Sequence, residues 1–144
     1  MYDFSYPVQV RKDKGGRYLV RFPDIPFAIT DGATRNEALK EAVDCLEEAL
    51  AELIINGEEI PVPLPIKRGT TLVSPPAKMA IKVALYITMR EQKATKSALA
   101  RKLKIDVREV RRMCDPYYGS KLPRMEEAIR SLGAEIVISL KSAA

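Results

Sequence analysis

The residues best typed for chemistry are Arg108, Arg111 and Arg112, spaced i, i+3 and i+4 so that a helix through them presents three guanidinium groups along one side. An arginine fork matches guanine O6 and N7, or a phosphate, with two parallel hydrogen bonds. Arg108 and Arg112 are the candidates for base edges, and Arg111 for a base or a phosphate. Around them Lys96, Lys104, Ser120 and Lys121 are typed for phosphate contacts. This is the chemistry of polyanion binding. Catalysis is poorly served, because the chain contains no histidine. That excludes Ser-His-Asp and Cys-His nucleophiles, imidazole general bases and histidine-held metals. Metal-assisted hydrolysis by carboxylates alone needs several that converge. Of the acids near predicted strands, Asp3, Asp13, Asp24 and Asp31, two fall in turns and Asp24 lies between prolines. The expectation is therefore a protein that is not an enzyme, with no catalytic residue, no metal and no cofactor.

The elements that must carry the arginines lie in residues 95–113, TKSALARKLKIDVREVRRM. Ala98, Leu99, Ala100 and Leu103 give one short apolar stripe behind Thr95, a good N-cap. Asp106 then caps a second helix, with Glu109 completing a capping-box pattern. Val107, Val110 and Met113 form its apolar side, opposite the arginines. A small residue at the helix crossing (Ala100) and a buried branched residue ten positions later (Val110) resemble the helix-turn-helix of phage-repressor-like regulators. The turn position usually given to glycine holds Lys104, so a left-handed lysine is expected there, at a cost on the order of 1 kcal/mol.

Charge is divided along the chain. Through residue 68 there are nine Lys or Arg against twelve Asp or Glu; from residue 69 there are fifteen against seven. An acidic front of balance −3 and a basic rear of +8 imply two modules with different partners, the rear one facing a polyanion. At 144 residues the chain suits one domain or two small ones. No apolar run approaches a membrane span, and the first ten residues lack a basic segment followed by an apolar one, so no membrane and a cytoplasmic location are expected. Cys45 and Cys114 are far apart without metal-ligand spacing, and read as small core residues.

In the front half, residues 4–10 alternate as a strand, Gly15-Gly16 marks a hairpin turn, and residues 17–22 form a second strand. Pro23-Asp24-Ile25-Pro26 is a rigid turn, residues 27–30 a third strand, and Asp31-Gly32 its end. Thr34 and Glu37 open a long helix whose apolar residues run from Ala38 to Leu53 and whose acids lie opposite, with Asn56-Gly57 as its stop. A β-β-β-α unit follows.

Within it, residues 22–42, FPDIPFAITDGATRNEALKEA, resemble the signature of HicB-family antitoxins: an aromatic-Pro-Asp, a later Gly-x-Thr and a Glu-Ala helix start. Tyr6-Pro7 and Gly16-Arg17-Tyr18 extend the resemblance over residues 3–65, with Phe27 where the family usually has glycine. The resemblance implies a partial ribonuclease-H-like fold for this domain. It implies that the chain binds and occludes a HicA-type toxin, a small mRNA-cleaving ribonuclease, and represses its own operon through operator DNA. It also implies toxin contact at Phe22, Pro23, Asp24, Ile25, Pro26, Phe27, Thr30 and Asp31. The form is the one with a C-terminal helix-turn-helix domain.

Residues 60–65, with proline at every second position, read as an extended strap, and residues 66–74 as a hinge. Residues 70–73 are a possible strand, and Ser74-Pro75 opens a helix to about residue 91. A further helix runs from Pro123 to Leu132. The chain then alternates Ile136, Ile138 and Leu140 with Glu135, Val137 and Ser139, a strand signal with no partner in a helical bundle. It pairs either with residues 70–73 or with a second copy, and a homodimer or higher homo-oligomer through residues 135–140 is the preferred expectation. The fold class is thus α+β, with a toxin-binding domain at 1–65, a linker at 66–74, and an all-α DNA-binding and dimerisation domain at 75–144 ending in a short strand. The alternative is a transcription regulator without a toxin, its first domain sensing a small ligand in a concave pocket.

Overall fold

In the computed structural model, residues 1–63 and 65–142 are described, so Leu64 of the proline strap and the last two alanines lie outside the described residues. They form two compact units, 1–83 and 84–144.

The first unit is built on an antiparallel sheet of order β2-β3-β4, from β2 (Gln9–Lys12), β3 (Tyr18–Arg21) and β4 (Ile29–Gly32). Register pairs Val10 with Val20 and Val20 with Thr30, which puts these three on one face. Helix α1 (Arg35–Ile55) packs on β3 and β4, and Val20 is fully buried along with Ala38, Ala42, Leu46 and Leu50. The hairpin turn is held by Asp13, whose Oδ1 accepts from the amides of Gly15 and Arg17, each at 2.9 Å. Helix α1 starts at Thr34, whose hydroxyl accepts from the Glu37 amide at 3.1 Å. Glu37 reaches back to the amide of Ala33. Its end is a left-handed Gly57 with the Glu58 amide bonded to Leu53 O at 2.9 Å.

The expected first strand is split. Its front, β1 (Tyr6–Pro7), pairs antiparallel with β5 (Leu72–Val73), and only residues 9–12 join the main sheet. Part of the stretch read as a hinge is thereby bound to the first unit. Ser74, expected as a helix cap, instead pairs its hydroxyl with Ser5 Oγ at 2.8 Å. The helix α2 (Ala77–Glu91) takes its first bonds from the Pro76 carbonyl. Fully buried Tyr6 donates from its hydroxyl to Pro61 O at 2.8 Å, which fastens the strap. Burial, with the Asp24 charge adding, pushes that phenol well above the ordinary tyrosine range, so it stays a donor.

In the second unit the helices α3 (Lys96–Leu103), α4 (Val107–Cys114) and α5 (Leu122–Ser131) enclose Leu99, Val110, Met113, Met125, Ala128 and Ile129, all buried. The strand expected at 135–140 is absent: the segment is irregular, with Val137, Ile138 and Leu140 at 66%, 85% and 100% exposure. Among the described residues the segment pairs with no strand, and a lone strand without a ladder is not stable. Cys45 and Cys114 are half-buried thiols, Cys114 Sγ donating to Met89 Sδ at 3.6 Å, and burial raises the Cys45 thiol. Among the described residues no helix is long and apolar enough to cross a membrane.

Candidate functional site

The α3–α4 pair is fixed by local chemistry. The Thr95 hydroxyl accepts from the Ala98 amide at 3.0 Å and sets the start of α3. Lys104 adopts φ 56°, ψ 44°, the left-handed conformation expected at the turn, and the Ile105 amide closes back onto Ala100 O at 3.0 Å. Asp106 Oδ1 accepts from the Arg108 amide at 2.7 Å and starts α4. Glu109 departs from the expected capping box: its carboxylate meets Arg124 of α5 at 3.0 Å. Helices α3 and α4 pack together, and Leu99, Ala100, Val110 and Met113 are all buried. Sequestering that apolar side is what leaves the opposite side of α4 for Arg108, Arg111 and Arg112, all exposed.

The three guanidinium groups are held differently. Arg108 forks onto the helix cap, Nε to Asp106 Oδ1 and Nη2 to Oδ2, both at 3.3 Å. This bond holds the Asp106 carboxyl below the usual carboxylate range and raises Arg108. Arg112 lies over the ring of Tyr118, 5.6 Å from its centroid. Arg111 forms no ion pair among the described residues. Lys96, on the first turn of α3, and Lys104 are exposed, as is Lys121 at the start of α5; Ser120 is half-buried. The fold thus brings the cationic candidates of α4 onto one helix side, with Lys96 and Lys104 at the two ends of α3. The arrangement is one of charge and hydrogen-bond donors, suited to gripping an anion. Residues that sequence reasoning passed over are Tyr118, Asp106 as an arginine partner, and exposed Arg101 and Lys102 on the last turn of α3. The D-x-R spacing at a helix cap was the available signal for the second.

In the first unit, the 22–28 loop is two tight turns, with Ile25 N bonded to Phe22 O at 3.1 Å and Ala28 N to Ile25 O at 2.8 Å. They delay the third strand by two residues, to Ile29–Gly32. Of the residues implied for partner contact, Phe22 and Ile25 are 1% exposed and belong to the core. Their side chains anchor the loop from inside. Pro23, Pro26 and Phe27 project outward, Phe27 at 52%. Thr30 is half-buried, and Asp31 is engaged by Arg17 Nε at 2.7 Å, which lowers its carboxyl. Asp24 is half-buried, with Oδ2 lacking a hydrogen-bond partner. Acidity sits elsewhere: Glu37, Glu41, Asp44, Glu48 and Glu52 form an exposed row along α1. Among the described residues no group of three or more acids or cysteines is placed to hold a metal.

Residues 5–84 match a family model described as HicB-like antitoxin of bacterial toxin-antitoxin system. Antitoxin HicB 2 of Photorhabdus laumondii is 36% identical over 134 residues, 93% of this chain and 94% of that protein. Antitoxin HicB 1 of the same organism is 33% identical over 139 residues, 96% of this chain and 88% of that one. Antitoxin HicB of Escherichia coli K12 is 31% identical over 131 residues, covering 91% and 95%. A crystal structure of the N-terminal domain of Burkholderia pseudomallei antitoxin HicB aligns with 49% of this chain and 95% of that one, at 28% identity and a TM-score of 0.42.

Proposed function

The chain belongs to the HicB-like antitoxin family of bacterial toxin–antitoxin systems, a family of antitoxins and not of enzymes, and from that premise we propose that it binds and occludes a HicA-type mRNA-cleaving toxin and represses its own operon. The observation that carries the reading is similarity to named antitoxins along nearly the whole length of both chains. The β2-β3-β4-α1 unit is read as a partial ribonuclease-H-like fold that has kept the scaffold without converging carboxylates. It acts by covering a surface, so it needs no catalytic group. Residues 1–65 carry the toxin contact and 75–144 the DNA contact, in the cytoplasm where both partners are found.

Toxin contact falls on the outward side of the 22–31 loop and strand, through Pro23, Asp24, Pro26, Phe27, Thr30 and Asp31, with Phe22 and Ile25 fixing the loop from inside. Prolines and a short turn hold this edge rigid, which lowers the ordering cost on association. The acidic row of α1 attracts a basic ribonuclease, more through rate of encounter than through affinity.

The α3–turn–α4 pair is read as a helix-turn-helix, with α4 entering a major groove. Arg108 and Arg112 meet base edges, Arg111 a base or phosphate, and Lys96, Lys104, Ser120 and Lys121 phosphates. Two-fold operators call for two copies. The exposed, alternating tail at 135–140 supplies a strand that a second copy can pair. The reading is tested by expressing the product of the neighbouring gene alone and with this chain. Arrested growth alone and restored growth together are expected; arrest unrelieved by the chain, or no arrest at all, contradicts it.

A further inference from the structure

We infer that Tyr118 is a positioning residue of the cationic surface, its ring holding the Arg112 guanidinium ready for a base edge; the inference rests on the DNA-binding reading above. Tyr118 is no core residue: it stands 46% exposed, in a loop that follows α4. What it touches is Arg112, whose Cζ lies 5.6 Å from the ring centroid.

The loop is built to keep the ring there. Asp115 caps α4, its amide bonded to Arg112 O at 3.2 Å. Its own carbonyl then accepts from the Tyr118 amide at 3.2 Å, and its Oδ1 from the Tyr117 amide at 2.9 Å. One aspartate turn therefore ties the ring to the helical turn that carries Arg112.

The consequence follows from how the arginines differ. A free arginine samples many rotamers and loses that freedom when it grips a base. A restraint already present in the unbound protein removes part of this loss. Asp106 restrains Arg108 by occupying two of its N–H donors. A ring face adds a restraint on Arg112 through the π system, and that contact itself consumes no N–H donor. Selectivity, more than total affinity, is what Tyr118 supplies, because phosphate contacts elsewhere do not depend on Arg112.

The test uses full-length wild type, Tyr118→Leu, Tyr118→Phe, Arg112→Ala and the Tyr118→Leu/Arg112→Ala double variant. Each is titrated against a duplex carrying the DNA upstream of the operon and a scrambled duplex of equal length. Tyr118→Leu is expected to weaken the upstream duplex roughly two- to five-fold and leave the scrambled one unchanged. Tyr118→Phe keeps wild-type affinity, and Tyr118→Leu adds no loss to Arg112→Ala. Matching melting curves assign any loss to the surface and not to folding. An unchanged Tyr118→Leu, additive losses, or a loss in Tyr118→Phe each overturn the inference, the last by giving the hydroxyl a contact of its own. A wild type that does not prefer the upstream duplex overturns the DNA-binding reading itself, and this inference with it.

Discussion

A Cβ built on Gly32 would stand 2.4 Å from the amide nitrogen of Ala38. The end of β4 and the first turn of α1 thus meet backbone to backbone, and Gly32 is what the Gly-x-Thr element contributes. Backbone cannot yield as a flexible side chain can.

Gly32→Ala is therefore expected to destabilise the first unit by about 3 kcal/mol, the upper part of the overpacking range. Chemical denaturation followed by circular dichroism measures it. A loss below about 0.5 kcal/mol, the size of an ordinary surface substitution, would show that the strand and helix can part without cost.

Lys104 separates stability from binding. Its left-handed backbone costs a non-glycine residue on the order of 1 kcal/mol. Lys104→Gly should raise stability by up to about that amount while removing a phosphate contact, so the slope of log affinity against log salt falls by roughly 0.9. An unchanged slope takes Lys104 out of the phosphate set.

Acid should loosen α4 through Asp106. The Arg108 bond lowers this carboxyl in the folded state, so its contribution is complete above the ordinary aspartate pKa of about 3.9. It is lost as pH falls through the lowered folded-state value. Asp31 follows the same course, which makes a comparison necessary. Asp106→Asn retains a capping side chain that does not titrate. Its melting temperature should converge on that of wild type as pH falls through this window. Parallel curves, with a constant gap down to the most acidic pH, would remove Asp106 from the acid response.

The tail makes its prediction by being unpaired. Val137, Ile138 and Leu140 leave apolar surface in water within a segment of strand-like alternation. Ending the chain after Ala134 should convert a dimer or larger assembly to monomer in light scattering, and should weaken operator binding. A mass per particle that stays multimeric after truncation assigns self-association to another surface.

What the sequence made legible was local. Thr34, Thr95 and Asp106 cap helices because a cap needs only its own amides two or three residues on. Lys104 is left-handed, as expected where a resembling helix-turn-helix usually has glycine. Errors came where distant segments decide. Nothing near Tyr6-Pro7 announces that Leu72 and Val73 will pair with them. The same holds at the candidate surfaces. Phe22 and Ile25 are buried because α1 lies across the sheet, and Glu109 turns to Arg124 because α5 packs alongside. Family resemblance points to the loop as a candidate surface, and packing separates its outward residues from its anchors.

On the function proposed above, this chain silences a ribonuclease by covering it. The direct measurement is cleavage of a labelled mRNA by the purified product of the neighbouring gene, titrated with this chain. Cleavage should fall linearly to zero at a fixed molar ratio, and Phe27→Asp, which places a charge on the outward loop, should shift that titration to higher concentration. A cleavage rate indifferent to excess chain would rule out silencing by occlusion.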